Sequence, residues 1–148
     1  MARVINNLAY LLVDKSRLVR RRFDESVRDH ELTGPQARLL LLVDRQPLAR
    51  QSLYAEALEV EPITLCRMVD RLEERGWLER QPDPADRRAW LLSPTAKCHD
   101  TADELRNSLE GLLDDLLEPL DAAERTQLAS LLSKIGNPEI QPAQVAHG

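Results

Sequence analysis

The chain has 148 residues, a net charge of −5, 43% hydrophobic residues and only 3% aromatic ones. That is one domain's worth of chain, enough for a packed core and small for a two-lobed enzyme, and its acidic balance argues against strong sequence-independent affinity for nucleic acid. No apolar run reaches the length of a membrane span, Asp14-Lys15 and Arg20-Arg21-Arg22 interrupt the apolar positions of the N-terminus so that no secretory signal is read there, and Cys66 and Cys98 make neither a disulfide framework nor a metal motif and fit a reducing cytoplasm.

In chain order, Ile5, Leu8, Leu12, Val19, Phe23 and Val27 recur at roughly helical spacing and predict a long first helix. Leu32-Thr33 with Gln36 opens a second. Gln51 to Leu58 is a short helix with Leu53 or Tyr54, Ala57 and Leu58 available for packing, and Glu59-Val60-Glu61-Pro62 is a turn. Ile63 to Arg75 is amphipathic: Leu65, Met68, Val69 and Leu72 form one stripe, and Ile63, Arg67, Asp70, Arg71 and Glu74 lie opposite with Thr64 at the flank. Gly76 stops that helix, as glycine does where a helix end needs the left-handed conformation.

Trp77 and Leu78 open a β-run, Pro82 to Arg88 reads as a charged turn, and Ala89 to Leu92 returns as a second strand. Ser93-Pro94 then reads as N-cap and first residue of a further helix. Its apolar positions are Ala102, Leu105, Leu109, Leu112, Leu113, Leu116 and Leu117, and Pro119 ends it. Asp121 to Glu124 resembles a capping box opening a last helix with Leu128, Leu131, Leu132 and Ile135, stopped by Gly136 and Pro138. Residues from Pro138 onward read as a frayed tail.

A β-hairpin between two helices, with two arginines near its tip, is the wing of a winged helix-turn-helix, and that points to DNA. The face beginning Ile63, Thr64 and Arg67 suits a recognition helix, whose first turns meet base edges in the major groove, where Arg bridges guanine O6 and N7. The net charge fits once mapped. Asp100 to Glu124 holds nine acidic residues against one Arg, a local balance of −8, so the remainder of the chain sums to +3. Three apolar stripes at the two chain ends exceed what a small winged lobe needs for its own core, and a second copy is the simplest partner for the surplus.

These motifs carry a family resemblance. The quoted runs are Leu32-Thr33 with Gln36, Ile63 through Glu73, Gly76, and Asp86-Arg87-Arg88 before Leu92-Ser93. Together they resemble the MarR (multiple antibiotic resistance) family of regulators, nearest in character to its SlyA-like branch, over roughly Leu8 to Ile135. Three positions depart from the family pattern. Glu59 stands where Gly is usual between the two DNA-binding helices, Ser93 replaces the usual Thr while keeping its capping chemistry, and Ala96 replaces a common Gly.

The fold expected is mainly α with a small β-wing: one domain over 1–148, with a DNA-binding lobe at about 33–92, dimerisation helices at about 3–28 and 94–136, and a tail at 137–148. The expected DNA-binding residues are Ile63, Thr64, Arg67, Arg71, Asp86, Arg87 and Arg88. In the wing, Arg88 is expected in the minor groove, held by Asp86 through a charge-assisted hydrogen bond, with Arg87 near the phosphates.

The resemblance implies a homodimer on double-stranded palindromic DNA, with half-sites about one helical turn, near 10 base pairs, apart. It also implies a pocket for a small aromatic or phenolic effector, for which Leu12, Ser16, Leu39 and Val43 are lining candidates. No metal or cofactor is expected. His30, His99 and His147 are scattered, and no nucleophile elbow, phosphate loop or paired-ligand motif is present, so catalysis is not expected. Two other readings stay open: a winged module for protein–protein contact, against which Arg67, Arg87 and Arg88 argue, and redox control through Cys66 on the side of the recognition helix.

Overall fold

The computed structural model describes residues 2–136, the side chains of Ala2, Val4, Ile5 and Asn6 excepted. The side chain of Ile5 in the first apolar stripe is thus left aside, and Pro138, His147 and the tail at 137–148 lie outside the described residues. The architecture is mainly helical with a two-stranded antiparallel wing, as the sequence predicts. The chain divides into two compact units, residues 1–112 and 113–148. No helix among the described residues is long and apolar enough to cross a membrane.

In the first unit, α1 (Ala2–Ser26) runs into a 3₁₀ turn (Val27–His30), so Val27 belongs to the turn rather than to the helix. Helix α2 (Gly34–Arg45) opens on a complete capping box. Thr33 Oγ1 accepts the Gln36 N–H at 3.3 Å and Gln36 Oε1 accepts the Thr33 N–H at 3.0 Å. Helix α3 (Gln51–Leu58) buries Tyr54 and Ala55, while Leu53 and Ala57 are exposed. At only eight residues the helix offers two plausible stripes, and the Tyr54 hydroxyl decides between them. It donates to the Gln46 carbonyl and accepts the Ala49 N–H at 3.2 Å, fixing the α2–α3 connection.

Helix α4 (Pro62–Glu74) begins one residue before the predicted Ile63, with Pro62 at its first turn, and buries Leu65, Val69 and Leu72. Its end is a Schellman motif: Trp77 N–H bonds Leu72 O at 2.9 Å and Gly76 N–H bonds Glu73 O at 3.0 Å, with Gly76 at φ 80°. The end of α3 is built the same way, Val60 N–H to Ala55 O at 3.0 Å and Glu59 N–H to Glu56 O at 3.1 Å. Its left-handed residue is Glu59, at φ 54° and ψ 43°. The turn between the two helices thus keeps its geometry without glycine.

The wing is longer than the sequence suggests. Strands β1 (Leu78–Asp83) and β2 (Asp86–Pro94) leave only Pro84-Ala85 as the turn, so Pro82 and Arg87-Arg88 are strand residues, not turn residues. Ser93 and Pro94 do not start a helix. They pair with Glu79 and Leu78, and Thr95 is the cap of α5 (Ala96–Leu116), its Oγ1 accepting the Cys98 N–H at 3.3 Å.

The core of this unit gathers Phe23, Val27, Leu39, Leu40, Val43, Tyr54, Leu65, Val69, Leu72, Trp77, Leu78, Leu92, Cys98 and Leu105 from every one of these elements. Burial, with the Asp44 carboxylate as the lesser cause, pushes the Cys98 thiol up to about 12.

In the second unit, α6 (Ala122–Ser133) opens on the predicted capping box of Asp121 and Glu124, with side chain to N–H distances of 2.8 and 2.9 Å. Arg125 turns back to the Asp114 carboxylate at 2.8 Å and to the Leu117 carbonyl. Gly136, at φ 100°, follows the helix.

Candidate nucleic-acid interface

Burying Leu65, Val69 and Leu72 turns the opposite face of α4 outward, so Ile63, Thr64, Arg67 and Arg71 are all exposed. The helix is nearly balanced in charge by sequence, but the structure separates the charges. Arg80 on β1, largely buried, reaches Asp70 Oδ1 at 2.6 Å and Glu73 Oε2 at 3.8 Å. The same guanidinium bonds the Cys66 carbonyl at 3.2 Å and Gln51 Oε1 at 3.3 Å, and the Arg80 N–H bonds Glu73 Oε2 at 3.1 Å. One side chain from the wing therefore clamps both helices of the helix-turn-helix and neutralises two of α4's carboxylates. Among the described residues, Arg67 and Arg71 are left without an ionic partner on the outward face.

Sequence reasoning missed Arg80. A lone arginine in a strand carries no local signal, and its partners come from elements up to 29 residues away.

The wing is fixed by a second network. Segment 48–50 lies along β2, with Leu48 N–H to Leu92 O at 2.8 Å, Leu92 N–H to Ala49 O at 3.1 Å, and Arg50 bridged to Leu91. At the tip, Asp83 Oδ1 accepts the Ala85 N–H at 2.8 Å while Oδ2 accepts Arg50 Nε at 2.7 Å. The Ala85 N–H first, and the Arg50 guanidinium after it, hold the Asp83 carboxyl below the usual carboxylate range against the effect of its burial. A depressed carboxyl stabilises the folded form above its ordinary pKa and loses that contribution as pH falls through the lowered value, so the tie is intact at neutral pH.

Arg87 and Arg88 stand exposed on β2 beside the tip, with Trp90 beyond them. The role expected for Asp86 needs correcting. Its Oδ1 accepts the backbone N–H of Arg88 at 3.0 Å, not the guanidinium. The bond shapes the strand start as an Asx-turn does and leaves the Arg88 side chain free to reach outward.

The four effector-lining candidates divide. Leu39 and Val43 are fully buried in the core, whereas Leu12 and Ser16 are exposed on α1. Cys66 is half-buried, its Sγ 3.7 Å from Arg80 Nη2. His30 lies 3.4 Å from Glu104, and His99 abuts the buried Asp44 carboxylate, which also pairs with Arg106. Among the described residues no group of three or more His, Cys, Asp or Glu is arranged to hold a metal ion.

A helix with an outward Arg face, a second helix braced against it and a hairpin carrying exposed arginines define a winged helix-turn-helix protein. Residues 32–90 match the MarR family model. The solved structure of the transcriptional repressor CouR bound to a 23-mer DNA duplex is 31% identical, with TM-score 0.75, over 88% of this chain and 92% of that one. Wild-type MarR from E. coli in its apo form is 26% identical with TM-score 0.80, over 88% of this chain and 96% of that one. A cysteine-to-serine mutant of E. coli MarR complexed with operator DNA is 26% identical with TM-score 0.75, over 90% and 96%. The chain belongs to the MarR family of transcriptional regulators.

Proposed function

We propose that this chain is a sequence-specific regulator that binds a palindromic operator in double-stranded DNA as a homodimer, one winged lobe per half-site, and is released by a small aromatic or phenolic effector. The observation that carries the reading is the outward face of α4, where Arg80 removes Asp70 and Glu73 from competition and leaves Arg67 and Arg71 free. Ile63, Thr64, Arg67 and Arg71 enter the major groove, Arg67 reading a base edge. Arg88 reaches into the minor groove and Arg87 lies along the phosphates. The two DNA-bound relatives support the same use of the lobe.

Dimerisation is supported by apolar side chains without cover in either unit: Leu8, Tyr10, Leu11, Leu12 and Val13 on α1, and Leu128, Leu131, Leu132 and Ile135 in and after α6. A two-fold pair of lobes fits two half-sites about one helical turn apart. Assignment to the SlyA-like branch and release by an effector rest on the resemblance of the motifs. Of the four candidate lining residues, Leu12 and Ser16 on α1 are the ones open to a ligand, and Leu39 and Val43 are reached only if the core yields.

Selection of bound sequences from a pool of random duplexes tests the reading. A two-fold symmetric consensus is expected. Absence of enrichment would favour a winged module used for protein contact.

A further inference from the structure

The residue at the start of α3 is Arg50, and its identity is not explained by the helix it precedes. It occupies the N-cap position, with φ −65° and ψ 142°, yet its side chain makes no capping hydrogen bond, which Ser, Thr, Asp or Asn would supply there. Instead its backbone is bridged to Leu91 of β2, and its Nε donates to Asp83 Oδ2 at 2.7 Å across 33 residues of sequence. Asp83 is nine-tenths buried and its other oxygen is occupied by the Ala85 N–H, so the carboxylate is a fixed mount rather than a mobile surface charge.

We infer that Arg50 is a phosphate-binding residue of the duplex interface, aimed by Asp83. The inference rests on the DNA-binding reading above and adds a contact to it. A guanidinium carries five N–H donors, and the bond to Asp83 takes only the one on Nε. The donors on the two Nη atoms have no partner among the described residues, while the side chain as a whole remains 45% exposed.

The bond has two opposed consequences. Asp83 offsets part of the positive charge that Arg50 presents at long range. It also holds the planar group in one orientation, so less side-chain freedom is lost when phosphate oxygens bind the open edge. The position joins the helix-turn-helix to the wing: Arg50 is the N-cap of the first helix of the helix-turn-helix, and Asp83 is the last residue of β1 before the wing turn. In such motifs the first helix crosses the sugar-phosphate backbone, so a guanidinium at its start beside the wing is placed for a backbone contact, which sets register without reading sequence.

The test uses the full-length chain and a mixed-sequence DNA duplex, with affinity measured by fluorescence anisotropy over a series of salt concentrations. Arg50→Gln removes the charge while keeping an amide N–H that can serve Asp83, so the wing tie persists. Its salt slope should fall by about one unit per protomer, with binding weakened several-fold. The same substitution in an Asp83→Asn background, which retains an acceptor for the Ala85 N–H, should have a smaller effect on affinity, because the arginine there is no longer aimed.

A wild-type chain that binds while Arg50→Gln leaves the slope unchanged would overturn the phosphate contact. An equal effect of Arg50→Gln in both backgrounds would overturn the aiming by Asp83. A wild-type chain that binds no duplex would overturn the proposed function itself, so the failures are distinguishable.

Discussion

The winged lobe and helix α6 treat leucine in opposite ways. Leu39, Leu40, Leu65, Leu72, Leu78 and Leu92 are fully buried within residues 1–112, whereas α6 buries no residue at all and Leu131 on it is 51% exposed. Both sets recur at helical or strand spacing, so pattern alone does not separate them. What separates them is supply. The lobe brings α1, α2, α3, α4, α5 and the wing to one core, while α6 has the capping box of a well-formed helix and buries none of its residues. A helix that is well started and poorly covered is what the proposed dimer would use, its apolar residues serving association rather than folding.

That contrast is broken most severely from inside the lobe. Leu72 is fully buried, belongs to α4, and lends its carbonyl to the Trp77 N–H that ends the helix. Leu72→Ala should cost about 2–5 kcal/mol of folding stability, measured by urea denaturation, because it leaves a cavity where the recognition helix meets the wing. A loss within a few tenths of a kcal/mol would mean that this core is not packed as described.

The complementary substitution is Leu131→Glu. It should leave the unfolding of residues 1–112 nearly unchanged and convert a dimer to monomers that bind DNA weakly through one half-site. Sedimentation of the wild-type chain as a stable monomer at micromolar concentration would contradict the contrast itself, while a dimeric Leu131→Glu protein would contradict only the choice of surface.

Much of this was legible in the sequence because it is written in local chemistry. The capping boxes at Thr33 and Asp121, the apolar stripe of α4 and the left-handed glycine at position 76 are each signalled within a few residues. The misread places are those where a local signal competes with pairing from a distance. Ser93-Pro94 is a good helix opening by itself, yet the ladder with Leu78 and Glu79 claims both residues and passes the cap to Thr95. Pro82 and Asp83 resemble a turn, but the ladder with Trp90 and Asp86 of β2 claims both residues. The same reason hides Arg80: its role is assembled by partners on α3 and α4, and a strand arginine looks like any solvated charge until they converge.

Within the lobe, the side proposed to face DNA sharpens the comparison at smaller cost. Arg88→Ala removes an exposed side chain whose backbone N–H alone is used by Asp86, so fold and dimer should persist while duplex binding weakens by about 1–3 kcal/mol. Arg67→Ala should relax preference at one symmetric pair of base positions in a selected consensus, whereas Arg87→Ala should weaken all sequences alike and flatten the salt dependence by about one unit per protomer. Titrations against the consensus and its single-position variants separate the two. A uniform loss with unchanged preference for Arg67→Ala would remove it from base reading.

The smallest effect concerns the two helix ends that share one design. Gly76 and Glu59 occupy the same left-handed position after α4 and α3, with the same pair of closing hydrogen bonds. Glycine is at ease there, whereas an L-residue with a side chain is disfavoured by roughly 1–2 kcal/mol. Glu59→Gly relieves that penalty but frees the unfolded chain, which costs about 0.4–1 kcal/mol in the other direction. The net expectation is stabilisation of about 0–1.6 kcal/mol, seen as a higher urea midpoint with an unchanged slope. The mirror substitution, Gly76→Ala, meets no atom within 4 Å of the added Cβ, so its cost is conformational alone and should be about 1 kcal/mol of destabilisation. If Glu59→Gly destabilised the protein instead, the carboxylate would have to supply a favourable interaction outweighing the backbone strain, and the two ends would no longer be equivalent.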